Sequence, residues 1–539
     1  MIPTDRNAPP PNWTSGSLGQ LASLITKGST PTTYGHNYKS AGIPFIRVEN
    51  LADGYIDGSS VTMFIDEAAD ETLRRSRLCS EDVLISIAGT IGRIALVRDE
   101  NVPANINQAL ALIRGTDRVL TPLFLMYFLR SSAAHQRALK DARGGAMNNI
   151  SLGDVARLDV PIPPIHEQQR IVEEIEKQFT RLEAGVVALK LVQANLKRYR
   201  AAVLKAAVEG RLVPTEAELA RREGRSYEPA SELLARIVTQ PLLAVSKKAQ
   251  AGVPVPPKAK SKEPFAPDTA NLAVLPEGWT SATIGQLIVE PLCNGISVKG
   301  NDSPPGIAAL KLHAMSDRGF DYSIVRYLPL AENSADDLWV REGDFFVSRG
   351  NGSLKLVGRG TSAQNPPAKI IFPDTMIRLR VVPELRKANW IPTIWPSRFF
   401  RRQVEQRVKT TAGIYKISQP QLRSVAIPLP PLAEQRRIVA EAERRLSVID
   451  ELEMQVESNL KRAERLRQAI LKRAFEGKLV PQDPNDEPAS MLLERIRAER
   501  ETVGAPLVGA RNWGRLGPRA GTRPAPTARS GRNRPRPGT

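Results

Sequence analysis

After Pro163-Pro164, apolar side chains return every seven residues at Ile175, Leu182, Leu189, Leu196 and Val203. Val172, Phe179 and Val186 each stand three positions before one of the first three. That spacing is a heptad seam, the pattern of a long helix that buries one stripe against a partner helix. A second run repeats it, with Ala442, Ile449, Val456, Ala463 and Ile470 at the seam and Val439, Leu446 and Leu460 on the flanking stripe. The spacing predicts a helix over residues 167–209, about 43 residues and roughly 65 Å at about 1.5 Å per residue. A compact domain offers no face of that length. The simplest burial packs one run against the other, and a pseudo-two-fold axis across their midpoint makes the pair antiparallel.

The two runs are copies. Pro161-Ile-Pro-Pro-Ile-His-Glu-Gln-Gln-Arg-Ile-Val172 returns as Pro428-Leu-Pro-Pro-Leu-Ala-Glu-Gln-Arg-Arg-Ile-Val439. At the far end Glu209-Gly-Arg-Leu-Val-Pro214 returns as Glu476-Gly-Lys-Leu-Val-Pro481, at the same shift of 267 positions. Gly210 and Gly477 stand where C-cap glycines end helices. A shorter echo follows in Glu228-Pro-Ala-Ser231 and Glu487-Pro-Ala-Ser490, each leading into a small amphipathic helix. The openings repeat as well: Trp13 with Leu18-Gly-Gln-Leu21 matches Trp279 with Ile284-Gly-Gln-Leu287. The stretches between diverge; Gly42-Ile-Pro-Phe-Ile-Arg-Val-Glu-Asn50 faces Gly306-Ile-Ala-Ala-Leu-Lys-Leu-His-Ala314. Two copies about a pseudo-two-fold axis suit a ligand that is itself two-fold, such as duplex DNA.

The divergent filling reads as mixed α/β. Short β-rich runs cover 44–48, 82–87 and 94–97, punctuated by Gly-Thr and Asp-Gly turns. Thr121 then caps a helix with Pro122 at its first position, running through Leu125, Phe128, Leu129 and Leu139 to Gly144-Gly145. Residues 396–408 are its counterpart in the second half. The expected domains are 1–160, 161–240 (long and short helix), a Pro/Ala/Lys linker over 241–270, 271–427, 428–500, and a tail over 501–539.

Composition fits a globular chain, with 41% hydrophobic and 25% charged residues. No apolar run approaches the roughly 20 residues of a membrane span, and the first residues lack a signal-peptide pattern. With Cys79 and Cys293 as the only cysteines, neither a disulfide framework nor a zinc cluster is expected, and a reducing cytoplasm is the default. The net charge of +19 and pI of about 10.0 point to a polyanionic partner. Eight arginines between Arg511 and Arg536 inflate that value, in a Pro/Gly/Arg-rich tail expected to be disordered. Removing them still leaves a clearly basic chain.

Catalytic motifs are missing. Asn365-Pro-Pro is followed by Ala368, so no aromatic ring completes the tetrad with which amino-methyltransferases stack a flipped base. His166-Glu167 opens like a zinc-protease motif, but position 170 is Arg and the copy reads Ala433-Glu434. No phosphate-binding Gly-x-x-x-x-Gly-Lys-Ser/Thr loop occurs. The Gly350-Asn-Gly352 and Gly358-Arg-Gly360 pairs read as turns. Catalysis is expected on another chain.

The whole pattern resembles the specificity subunits of type I restriction-modification systems. The residues that carry it are the Trp13 and Trp279 openings and Ser80-Glu-Asp-Val-Leu-Ile-Ser-Ile-Ala-Gly-Thr-Ile-Gly92, with its counterpart Glu342-Gly-Asp-Phe-Phe-Val-Ser-Arg349. Asn149-Ile-Ser-Leu-Gly-Asp154 and Lys416-Ile-Ser-Gln-Pro-Gln421 add to it, each running into Pro-x-Pro-Pro-x-x-Glu-Gln. The resemblance implies an α+β protein. It implies two mixed α/β target-recognition domains separated by an antiparallel pair of long coiled-coil helices, in a pseudo-two-fold repeat. Each domain would read half of a split DNA site, with helix length setting the unread spacer. It also implies two methyltransferase subunits that use S-adenosylmethionine, and two motor-nuclease subunits that use ATP and magnesium, with no cofactor in this chain.

Arg and Lys suit guanine and Asn and Gln suit adenine. The candidate base readers are therefore Arg47, Asn50, Arg93, Asn105, Asn107 and Gln108 in the first domain, and Lys311, His313, Arg349 and Asn351 in the second. A DNA-bridging or regulatory protein outside restriction could share the duplicated layout, and stays open as the alternative.

Overall fold

The computed structural model describes residues 10–116, 118–134, 136, 149–239, 274–317, 319–411 and 413–503. The helix end expected at Leu139 to Gly144-Gly145, the linker over 241–270 and the tail from 504 lie outside them. The chain divides into two units, Met1–Val186 with Lys461–Thr539, and Val187–Leu460. Neither is one sequence repeat. Each joins the recognition domain of one repeat, and the start of its long helix, to the end of the other repeat's long helix and the short helix that follows.

In the first unit an antiparallel sheet has the order Leu24–Lys27, Leu110–Arg114, Val83–Ser86, Ile94–Leu96. Every residue of Val83–Ser86 is buried, as expected of a strand covered on both faces. A second sheet puts Ile43–Ile46 between Phe64–Ile65, antiparallel, and Asn105–Ile106, parallel. The helix Pro122–Leu129 is capped by Thr121, whose hydroxyl accepts from the Phe124 amide at 3.3 Å. All of its residues from Phe124 on are buried, so it runs through the core instead of lying on it.

The second unit repeats this topology in a different sequence. Its four-stranded sheet runs Cys293–Asn294, Met376–Leu379, Phe345–Ser348, Gly360–Ser362. Its three-stranded sheet runs Val325–Leu328, Ile307–Leu310, Ile370–Ile371. Phe345–Ser348 is again wholly buried. The helix expected over 396–408 is Arg398–Arg407. Each domain closes by pairing its opening phrase with its Pro-x-Pro run: Thr14 lies opposite Ile162 in the first, and Thr280 opposite Leu429 in the second. Both are two-stranded ribbons, where a proline costs no ladder bond on its outer side.

The long helices are Ile165–Val208 and Leu432–Phe475, 44 residues each. Within the second unit Leu196, Ile449 and Val456 form a buried cluster, with Leu189, Leu446 and Leu460 packed around it. There Arg200 bridges Asp450 and Glu453. Within the first unit Arg467 pairs with Glu183 at 3.2 Å. Between these pairs the first helix steps back from 200 to 183 while the second steps forward from 450 to 467, so the two are antiparallel. The outer heptads pack differently from the middle: Val203 and Ala442 join the second domain's core, and Ile175 and Ile470 the first's. Ala463 is buried and Leu182 half-buried. Among the described residues no helix is long and apolar enough to cross a membrane.

Both helices stop at glycines with φ of +67°. The Arg211 amide reaches back to the Ala206 carbonyl at 2.8 Å, and Lys478 to Arg473 at 2.8 Å, the six-to-one bond of a Schellman cap. A Cβ on Gly210 would stand 2.5 Å from Pro276 Cγ and 3.0 Å from Trp279 Cζ2, and one on Gly477 2.2 Å from Pro10 Cγ. Left-handed backbone costs an L-residue roughly 1–2 kcal/mol before any clash. Gly210→Ala and Gly477→Ala are therefore each expected to destabilise by about 2 kcal/mol or more. Gly185 lies mid-helix with nothing within 4 Å of its missing Cβ, so Gly185→Ala is expected to stabilise by about 0.5–1 kcal/mol. Denaturant midpoints check the reversal of sign.

Candidate nucleic-acid interface

The repeated phrases build two matching joints. In the second unit the buried Glu434 carboxylate accepts from Trp279 Nε1 at 2.9 Å and from the Glu216 amide at 2.8 Å. Arg437 Nη1 donates to Glu216 Oε2 at 2.6 Å. In the first unit the buried Glu167 faces the Trp13 indole and accepts from Gln482 Nε2, while Arg170 Nη2 donates to Asp486 Oδ2 at 2.6 Å. Burial pushes both glutamates above the usual carboxyl range. The neighbouring glutamine stitches the Pro-Pro break to the domain. Gln168 donates to the Val119 and Pro163 carbonyls and accepts from the Thr121 amide at 2.9 Å; Gln435 donates to the Pro430 carbonyl at 2.8 Å. Arg at 170 and 437 is thus an ion-pair partner. Among the described residues no cluster of His, Cys, Asp and Glu could hold a metal.

These joints set the domains; the candidate readers lie on their loops, apart from Asn105 and Asn351, which lie on short strands. Asn50 and Asn105 are buried and spend their amides inside the protein. Asn50 accepts from the Arg47 amide at 2.8 Å and donates to the Ser60 carbonyl at 2.9 Å. Asn105 donates to Asp70 Oδ1 at 2.9 Å and accepts from Ser76 Oγ at 2.8 Å. Their role in this fold is to brace loops. Arg93 is exposed, yet its guanidinium holds the Val48 and Leu51 carbonyls at 3.2 and 3.3 Å. Arg47 pairs with Glu49 at 3.0 Å. Asn107 caps its own turn by accepting from the Ala109 amide, and Gln108 accepts from Thr30 Oγ1 at 2.8 Å.

The loop that Arg93 holds is tied to both long helices within the first unit. Asp53 accepts from Arg130 and from Arg467, and these two guanidiniums lie 5.9 and 5.3 Å from the centre of the Phe179 ring. Burial pushes the Tyr127 phenol, beside Arg130, up to about 12. In the second domain Lys311 pairs with Asp302 at 2.7 Å, His313 is exposed, and Arg349 donates to the Asp374 carbonyl at 3.2 Å. Asn351 accepts from the Ser353 amide and lies on a strand paired with Ile414–Lys416. Sequence reasoning passed over that partner strand. Its signal in the sequence is slight: Gly413 between two short runs that end in Lys409 and Lys416.

Comparison with known proteins adds the following. Residues 10–188 match a family model described as the type I restriction modification DNA specificity domain. The EcoKI specificity subunit of Escherichia coli strain K12 is 24% identical over 507 residues, covering 92% of this chain and 97% of that one. The StySPI specificity subunit of Salmonella potsdam is 24% identical over 511 residues, covering 93% and 98%. A solved chain from work on complex assembly and conformational transition of a type I R-M system superposes with a TM-score of 0.56. It is 21% identical and covers 88% of this chain and all of that one, which speaks for the fold.

Proposed function

The chain belongs to the type I restriction-modification specificity family, and from that premise we propose that it reads a two-part duplex DNA target and directs partner subunits to methylate adenine and cleave. The observation that carries the reading is one domain topology built twice from divergent sequence. A repeated frame with differing loops suits two readers of different half-sites. The chain is a recognition subunit, not a catalytic one. Its S-adenosylmethionine, ATP and magnesium are needs of its partners, and it works in the cytoplasm.

Two methyltransferase and two motor-nuclease subunits complete the proposed complex. The docking surface proposed for the methyltransferase is the outer face of the long helices in the second unit. Val187 (67% exposed), Leu191 (60%) and Tyr199 project from one helix, and Val448 and Met454 from the other. A solvated helix face normally carries charge at such positions. The test is co-expression with the methyltransferase, followed by sequencing of methylated adenines in the host genome with and without this chain. A split motif that appears only with the chain is expected. Purified chain that methylates DNA unaided, or failure to co-purify with a methyltransferase, would overturn the reading.

A further inference from the structure

In the second domain Lys409–Thr411 and Ile414–Lys416 form a two-stranded antiparallel ribbon, extended by Gly350–Asn351 on the other side of Ile414–Lys416. The register puts Lys409 opposite Lys416 and Thr410 opposite Tyr415. Successive side chains of a strand alternate between faces. Tyr415 is half-buried against the domain core. Ile414 and Lys416 therefore project from the opposite face, and both are exposed, Ile414 by 43%. The stem of Lys416 lies over Gly350, where a Cβ would meet its Cγ at 3.4 Å. At the tip, Gly413 turns with φ of +75° in open space.

Two features of this ribbon work against stability. Like charges directly opposite each other repel, and among the described residues neither Lys409 nor Lys416 has an acidic partner. Ile414, on the same face as the two lysines, leaves much of its apolar surface in water. Both features suit one occupant. The major groove of B-DNA admits a two-stranded ribbon, lysine donates to guanine O6 and N7, and an apolar side chain contacts the thymine methyl. We propose that this ribbon enters the major groove and reads the half-site assigned to the second domain, with Lys409, Ile414 and Lys416 as specificity determinants. The inference rests on the family-based reading of the chain as a DNA-recognition subunit.

The test uses the full chain in complex with its methyltransferase subunits. Ile414→Ala and the double variant Lys409→Gln/Lys416→Gln are compared by adenine-methylation motif and by affinity for a target duplex and a random-sequence duplex. The side chains are exposed, so the variants should assemble; co-purification with the methyltransferase and an intact first half-site are the controls. Ile414→Ala should lose about tenfold or more in discrimination at one or two adjacent positions of one half-site. The double lysine variant should lose affinity mainly for the target duplex, with the motif relaxed at guanine positions of the same half-site and little change on the random duplex. An unchanged motif and affinity in both variants would overturn the ribbon as the reader. So would a loss spread evenly over both half-sites in a complex that still binds random duplex. A wild-type complex with no sequence preference would instead sink the parent reading.

Discussion

Exchanging residues 1–157 for those of a relative with another target is expected to change one half of the methylated sequence and leave the other half intact. Binding to the old half-site should fall toward the non-specific level, a loss of about 10³-fold or more. The structure explains why so large a graft can be accepted. Part of the frame's hold on the first domain is through backbone groups: Gln168 takes the Val119 carbonyl at 2.8 Å and the Thr121 amide at 2.9 Å, and Thr14–Ser17 pairs with Asp159–Ile162 through main chain alone. A relative with the same topology supplies those groups whatever its side chains. The junction at Arg157 closes the capped turn Leu152–Arg157 and leaves the strand Asp159–Ile162 with the host. Side chains must be matched as well: the tryptophan at position 13 that faces Glu167, Asp53 that pairs with Arg467, and Phe124, Tyr127 and Phe128, whose rings meet Phe475 and Phe179. Sequencing of methylated adenines in cells carrying the chimera reads the result. A shift in both halves, or in neither, would refute two independent readers.

The helices were legible because their signals are local. The heptad spacing, the Thr121 cap and the glycines at 210 and 477 each act within a turn or two of chain. The joints were not. Glu434 draws its partners from Trp279 and Glu216, on separate segments of both repeats, so the repeated Glu-Gln appeared only as a helix start. The division of each long helix between two units was hidden for the same reason, since a repeat in sequence need not be a unit in space. Among the candidate readers, Asn50 and Asn105 show the limit of residue type as evidence. An amide that braces a loop and one that meets adenine are the same group, and only burial tells them apart. The ribbon at 409–416 escaped because three-residue strands give too short an alternation to stand out.

Glu434→Ala should cost the second unit about 2–5 kcal/mol, because it strips the acceptor from two buried donors, Trp279 Nε1 and the Glu216 amide, at about 1–3 kcal/mol each. Against this runs the relief of removing a carboxylate from a desolvated site. The two effects separate in Glu434→Gln, which keeps one acceptor and turns an N–H toward the other donor, for an expected loss of about 1–3 kcal/mol near neutral pH. The pH dependence fixes the balance. Burial outweighs the two donated hydrogen bonds and raises the Glu434 carboxyl above its usual value of 4.5. A raised folded-state pKa means that the stability linked to this group is fully present below the unfolded value and is lost as pH rises through the folded one. The wild type should therefore lead Glu434→Gln by its widest margin below about pH 4.5, and the gap should narrow toward neutrality. Urea midpoints of the full chain, followed by tryptophan fluorescence across that range, measure it. A margin that widens with pH would mean that the two donors hold the carboxylate more firmly than burial opposes it, and that the joint is an anion site in its own right.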